Sequence, residues 1–115
     1  MQEIAVGRSG NEILARALDQ AQSQGIECYI STHPIGFFGH GPGPAIGVWN
    51  RQQGVPGKGD WPVGDNTCFA LELCVVAAVD QWQGQKLVFN LEETIAVVEG
   101  RAQYLAGRQT AFHLI

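Results

Sequence analysis

Thr67-Cys68-Phe69-Ala70-Leu71-Glu72-Leu73-Cys74-Val75-Val76-Ala77-Ala78-Val79, followed after six residues by Lys86-Leu87-Val88-Phe89-Asn90-Leu91-Glu92-Glu93-Thr94-Ile95-Ala96-Val97-Val98, makes two long apolar runs in tandem. Both runs are rich in the β-branched, aromatic and aliphatic residues that suit strands. The residues between them, Asp80-Gln81-Trp82-Gln83-Gly84-Gln85, read as a turn. A hairpin centred near Trp82 makes Glu72 and Glu92 direct cross-strand neighbours. Like charges at that spacing, with Cβ atoms roughly 5 Å apart, repel unless something positive lies between them. A divalent metal is the first candidate.

Alternation along the two runs sorts their side chains by face. Cys68, Ala70, Glu72, Cys74 and Val76 share one face of the first strand, and Val88, Asn90, Glu92 and Thr94 one face of the second. Each face thus carries one carboxylate among small or apolar neighbours. Glu72 lies in a run that is apolar on both sides, where an unpaired carboxylate costs several kcal/mol or gives up its charge. The competing reading places both glutamates on a solvated hairpin face with no metal.

Upstream, Ser9-Gly10-Asn11-Glu12 has the form of a capping box. Ile13, Leu14, Ala17, Leu18 and Ala21 recur at helical spacing, and Gly25 is placed to stop the helix, which predicts one amphipathic helix over about residues 10–24. Glu27-Cys28-Tyr29-Ile30-Ser31 predicts a strand leaving it. From Thr32 to Asn66 the chain is dominated by Gly and Pro. Within it, residues 39–44 and 55–62 are too rigid and too aromatic for a flexible linker and are expected as ordered loops lining something. The tail is expected to add one or two short strands, around Gln103-Tyr104-Leu105 and Thr110 to Ile115.

At 115 residues, 45% of them hydrophobic, the chain can bury one core, so a single soluble domain spanning 1–115 is expected. A net charge of −4 leaves no basic stripe for phosphate and argues against nucleic acid as a partner. No apolar run approaches the ~20 residues needed to span a bilayer, and Met1-Gln2-Glu3-Ile4 lacks the charge order of a secretion signal. No membrane association and a cytoplasmic location are therefore expected. Cys28, Cys68 and Cys74 make an odd count with no C-x-x-C pair, which suggests neither a disulfide framework nor a thiolate zinc site. On one strand Cys68 and Cys74 stand roughly 20 Å apart, too far to bond.

Histidines complete the candidate chemistry. His33 and His40 lie in Thr32-His33-Pro34-Ile35-Gly36-Phe37-Phe38-Gly39-His40, a glycine-rich loop. Beside buried glutamates they would form an N,O site suited to Mn, Fe, Co or Zn. They also read as ordinary loop histidines, as does His113. Gly39-His40-Gly41-Pro42-Gly43 lacks the strand-to-helix context of a dinucleotide turn, and its prolines remove amides a phosphate cradle needs. No serine has the elbow of a hydrolase nucleophile. Trp49 and Trp61 either line a substrate pocket or belong to the core and its rim.

Three ordered segments resemble the carboxy-terminal half of the pita-bread metallopeptidases, the group of methionine aminopeptidase, Xaa-Pro aminopeptidase, prolidase and creatinase. His33-Pro34-Ile35-Gly36-Phe37-Phe38-Gly39-His40 is similar to that family's H-G-x-G-x-x-x-H stretch. Phe69-Ala70-Leu71-Glu72 is similar to its strand ending in a metal-binding glutamate, and Leu91-Glu92-Glu93-Thr94-Ile95-Ala96-Val97-Val98 to its last-ligand strand. The resemblance runs from about residue 9 to the end. It implies His33 and Glu72 as ligands of one metal, Glu92 as a ligand bridging two, His40 as a substrate-side hydrogen-bonding group, and Glu72 as proton carrier. It also implies an α+β fold: half of a pita-bread fold, one main helix packed on a curved, mostly antiparallel sheet with the Gly/Pro loops over its concave face.

The sequence departs from the family at three points. Pro34 replaces the usual glycine after the histidine, and Leu73-Cys74 follows Glu72 where proline is usual. The family's two aspartate ligands and a further histidine come from an amino-terminal half that has no counterpart here. Asp19, Asp60, Asp65 and Asp80 are no evident substitutes. The resemblance therefore implies a truncated, metallopeptidase-like domain with half of a dimetal site, inactive alone, whose metal the isolated chain need not hold. Its alternatives are a homodimer presenting His33, Glu72 and Glu92 twice, as a closed twofold assembly of a hydrolase, or assembly with a complementary amino-terminal half. A metal-free binding module using His40, Trp49 and Trp61 is the remaining one. A peptide is the substrate if the site is active.

Overall fold

The computed structural model describes residues 1–111 and 113. One helix, α1 (Gly10–Ser23), packs on an open antiparallel sheet of five strands: β1 (Glu27–Ile30), β2 (His33–Pro34), β3 (Thr67–Val79), β4 (Gln85–Val98) and β5 (Arg101–Tyr104). Their order is β1-β3-β4-β5, with β2 following β1 along the same edge of β3, so the architecture is α+β. No helix among the described residues is long and apolar enough to cross a membrane.

Helix α1 begins where its capping box dictates. The Glu12 N–H donates to Ser9 Oγ at 3.2 Å and the Ser9 N–H to Glu12 Oε2 at 2.8 Å, satisfying two otherwise orphaned amides. It ends at Gly25, whose φ of +70° is the left-handed conformation that closes a helix. There the Gly25 N–H reaches Gln22 O and the Ile26 N–H reaches Ala21 O, both at 2.9 Å, as in a Schellman motif.

Strands β3 and β4 form one long hairpin, in register from Thr67↔Val97 to Val79↔Gln85. Its turn is a single 3-10 turn, Asp80–Trp82, closed by Gln83 (φ +57°) and by the Gly84 N–H on Val79 O at 3.1 Å. Phe69, Ile95 and Val97 bury one face of the hairpin with Ile13 and Leu14 of α1, Ile30 of β1, and Ile4, Ile46 and Val63. That cluster fixes the helix-covered face.

The Gly/Pro segment is tied down by polar side chains. Asn11 Oδ1 accepts the Val55 N–H at 2.7 Å, and its Nδ2 donates to Asp60 Oδ1 at 2.8 Å. Gln52 pairs with both backbone groups of Ile30 at 2.9 Å and donates to Val48 O at 2.8 Å. A Cβ at Gly10 would land on the Ala45 carbonyl, so only glycine lets the helix start this close to the loop.

The tail supplies β5 at Arg101–Tyr104, beginning two residues before and ending one residue before the expected Gln103-Tyr104-Leu105. For the second expected segment, Thr110, Ala111 and His113 are not in a strand, while Phe112, Leu114 and Ile115 lie outside the described residues.

Candidate functional site

The face of the sheet turned away from α1 carries the candidate residues. Because Phe69, Ile95 and Val97 point into the core, the intervening Ala70, Glu72 and Cys74 of β3 and Asn90, Glu92 and Thr94 of β4 point the other way. Register adds two residues from neighbouring strands: Tyr29 opposite Cys74 and His33 opposite Ala70. Five chemistry-bearing side chains thereby share one face.

Glu72 and Glu92 are register partners. The Glu72 carbonyl accepts the Ser31 N–H at 3.0 Å and the Thr32 hydroxyl at 3.3 Å, so its backbone groups face β1 and β2 rather than β4. Glu72 and Glu92 are thus a non-hydrogen-bonded pair, the kind whose Cα atoms come within about 4.5 Å and whose side chains lie closest. Glu72 is half-buried and Glu92 exposed. Two carboxylates in that arrangement raise the local negative potential and favour a cation.

His33 meets this pair from β2. Its Nε2 stands 3.1 Å from Glu72 Oε1, and its Nδ1 stands 3.1 Å from Pro34 O. The imidazole thus bridges the Pro34 carbonyl and the Glu72 carboxylate, one ring nitrogen to each. Metal-binding histidines are commonly held in this way, with the second nitrogen on a backbone carbonyl. The ring of His40 stacks on that of His33, with centroids 4.1 Å apart and planes inclined by 14°. The tight bend that returns His40 is closed by the Gly41 N–H on Pro34 O at 2.8 Å and the Gly39 N–H on Gly36 O at 3.0 Å.

A cavity of ≈ 390 Å³ opens beside the glutamates, walled by Tyr29, Trp49, Cys74, Asn90, Glu72 and Glu92 among others. Trp49 therefore stands at the site. Trp61 does not line this cavity: its carbonyl accepts the Gly10 N–H at 3.2 Å at the start of α1. His40 reaches the site only through its stack on His33. Tyr29, Ser31 and Asn90 join the wall without having been singled out by sequence. Asn90 was on the predicted face, whereas Tyr29 and Ser31 depend on the β1–β3 register, which no local pattern signals.

The donor set, one imidazole and two carboxylates, suits a divalent metal in kind. Its closure is incomplete. His33 and Glu72 converge, but among the described residues no three or more His, Cys, Asp or Glu side chains come together closely enough to hold an ion. Cys28, Cys68 and Cys74 are free thiols, and burial, with the neighbouring Cys74, pushes the Cys28 thiol above its ordinary range. Compared with known proteins, the chain stands by itself: no family model, no curated protein and no solved structure matches it.

Proposed function

We propose that this chain is a metallopeptidase-like domain equivalent to the carboxy-terminal half of a pita-bread fold, carrying half of a dimetal site and inactive as a peptidase on its own. The observation that carries the reading is the close Glu72–Glu92 pair with His33 Nε2 on Glu72. These are the three residues the resemblance assigns to metal.

In this reading His33 and Glu72 would be ligands of one metal, and Glu92 would be a ligand shared with a second. A bound metal would polarise a peptide carbonyl and lower the pKa of a bound water. The chain's own residues prepare the site. Pro34 O and Glu72 Oε1 fix the orientation of the His33 ring between them. Glu72, half-buried beside an imidazole, is the group placed to carry a proton. His40, exposed and stacked on His33, would serve as the donor to a substrate carbonyl. Tyr29 and Trp49 form one wall of the cavity. Two or more further ligands must come from a partner, either a complementary half or a second copy. The three free thiols fit a reducing, cytoplasmic compartment.

Calorimetric titration of chelator-stripped protein with Mn2+ or Co2+, run beside Glu92→Ala, tests the reading. Saturable binding that the variant loses is expected. No binding, or binding the variant keeps, would overturn it. A metal-free binding module is the second reading, favoured by the Tyr29–Trp49 wall of the cavity. It requires ligand binding that survives a chelator.

A further inference from the structure

From Lys86 to Glu92 the outer edge of β4 has no backbone partner among the described residues. Because Glu72 and Glu92 are a non-hydrogen-bonded pair, the backbone groups of Glu92 point away from β3, and so do those of every second residue along β4. The Leu105 N–H on Thr94 O at 3.1 Å, on the β5 side, agrees with this parity. On β4, strand β5 pairs with Ile95–Val98, and the described residues after Leu105 touch that edge at Glu93, whose carboxylate accepts the Gln109 N–H at 2.8 Å. Lys86, Val88, Asn90 and Glu92 therefore present a row of N–H and C=O groups with no backbone partner among the described residues. All four are exposed, as are Phe89 and Leu91 between them. Native proteins rarely leave an edge this long and apolar uncovered.

We propose that this edge pairs with the same edge of a second copy, antiparallel, about a twofold axis at Phe89. The register follows from the residues. Pairing about Phe89 sets Lys86 opposite the partner's Glu92 and Val88 opposite the partner's Asn90. In both, the two residues are of the outward-facing kind and exchange both hydrogen bonds. It uses every free backbone group from Lys86 to Glu92 and sets Leu87 against the partner's Leu91. A shift of two residues in one direction sets Lys86 against the partner's Thr94, whose carbonyl is already taken, and Glu92 against the partner's Val88. A shift in the other leaves Glu92 opposite the partner's Gly84. A shift of one residue turns the bonding groups of one strand away from those of the other. Only the Phe89-centred register joins opposite charges.

Dimerisation in this register also brings a cation to the strained pair. Lys86 already bonds Glu27 Oε2 at 2.8 Å, and that contact raises the affinity of its ammonium for its proton. The partner's Lys86 comes to lie beside Glu92, next to Glu72, on the face away from α1. The pairing does not rest on the metal reading.

Sedimentation equilibrium of the full chain in chelator tests it. A dimer is expected, with Val88→Pro converting it to a monomer of unchanged circular dichroism, since that N–H bonds nothing within the fold. Lys86→Glu should weaken association at least tenfold, and Lys86→Glu with Glu92→Lys should restore it. A monomeric wild type overturns the proposal, as does a dimer that the charge reversal leaves intact. A monomer whose Val88 and Asn90 amides resist hydrogen exchange would mean that the chain's own tail covers the edge, and would overturn it too.

Discussion

Glu92 is the residue where stability and site chemistry oppose each other. Its carboxylate faces another across the hairpin, and opposing like charges of this kind destabilise strand pairing on the scale of about 0.2–1 kcal/mol. In the monomeric Val88→Pro background, Glu92→Gln should therefore raise the unfolding free energy of chelator-treated protein by about that much, measured by urea unfolding. Glu72→Gln should gain less, because it gives up the charged side of the His33 contact at 3.1 Å. Burial of Cys28 gives a second residue-level expectation. Its thiolate should be scarce at the pH where an ordinary thiol is half-ionised, so its alkylation rate, followed by mass spectrometry, should keep rising above pH 9. The glutamate pair was legible in sequence because hairpin register follows from a short turn. Trp61 and Trp49 were not separable there: which tryptophan reaches the cavity depends on how the Gly/Pro loop is pinned.

That pinning belongs to the secondary-structure elements. Helix α1 was readable from both ends, Ser9 to Glu12 and Gly25, because caps are local patterns. Strands β3 and β4 were readable from composition and period. The placement of β1 and β2 against β3 was not, since residues 35–66 intervene and their anchors are Asn11 on Val55 and Gln52 on Ile30, long-range bonds with no local signature. Two expectations follow. Ser9→Ala should lower stability by about 1 kcal/mol in urea unfolding. Asn11→Ala should cost about 1–3 kcal/mol, because it strands the Val55 N–H and releases Asp60. Glu12 sets a pH dependence. Its bonds from Ser9 hold its carboxyl below the ordinary range, so the cap's contribution is full above that range and is lost as pH falls through the lowered pKa.

Across the whole molecule, core and exposed apolar surface are unevenly distributed. The core sits at the end of the sheet nearest α1, while Phe37, Phe38, Trp49, Val88 and Leu91 are exposed elsewhere. Val88 and Leu91 belong to the stretch of β4 whose outer edge has no backbone partner among the described residues, one on each face of the sheet. The sheet's wiring also orders events in time. The β3–β4 hairpin closes through a short turn, but β1 finds its place only on β3, across some forty residues of sequence. Loop closure of that length is entropically slower than a hairpin. During synthesis, α1 and β1 leave the ribosome well before any strand exists to receive them, and their apolar faces stay open until Phe69 and Ile95 arrive. In pulse-labelled refolding, amides of Leu73 and Val75 should be protected ahead of those of Tyr29 and Ser31. The amino-terminal third of this chain therefore waits on the remainder, and it is the stretch a chaperone would meet first.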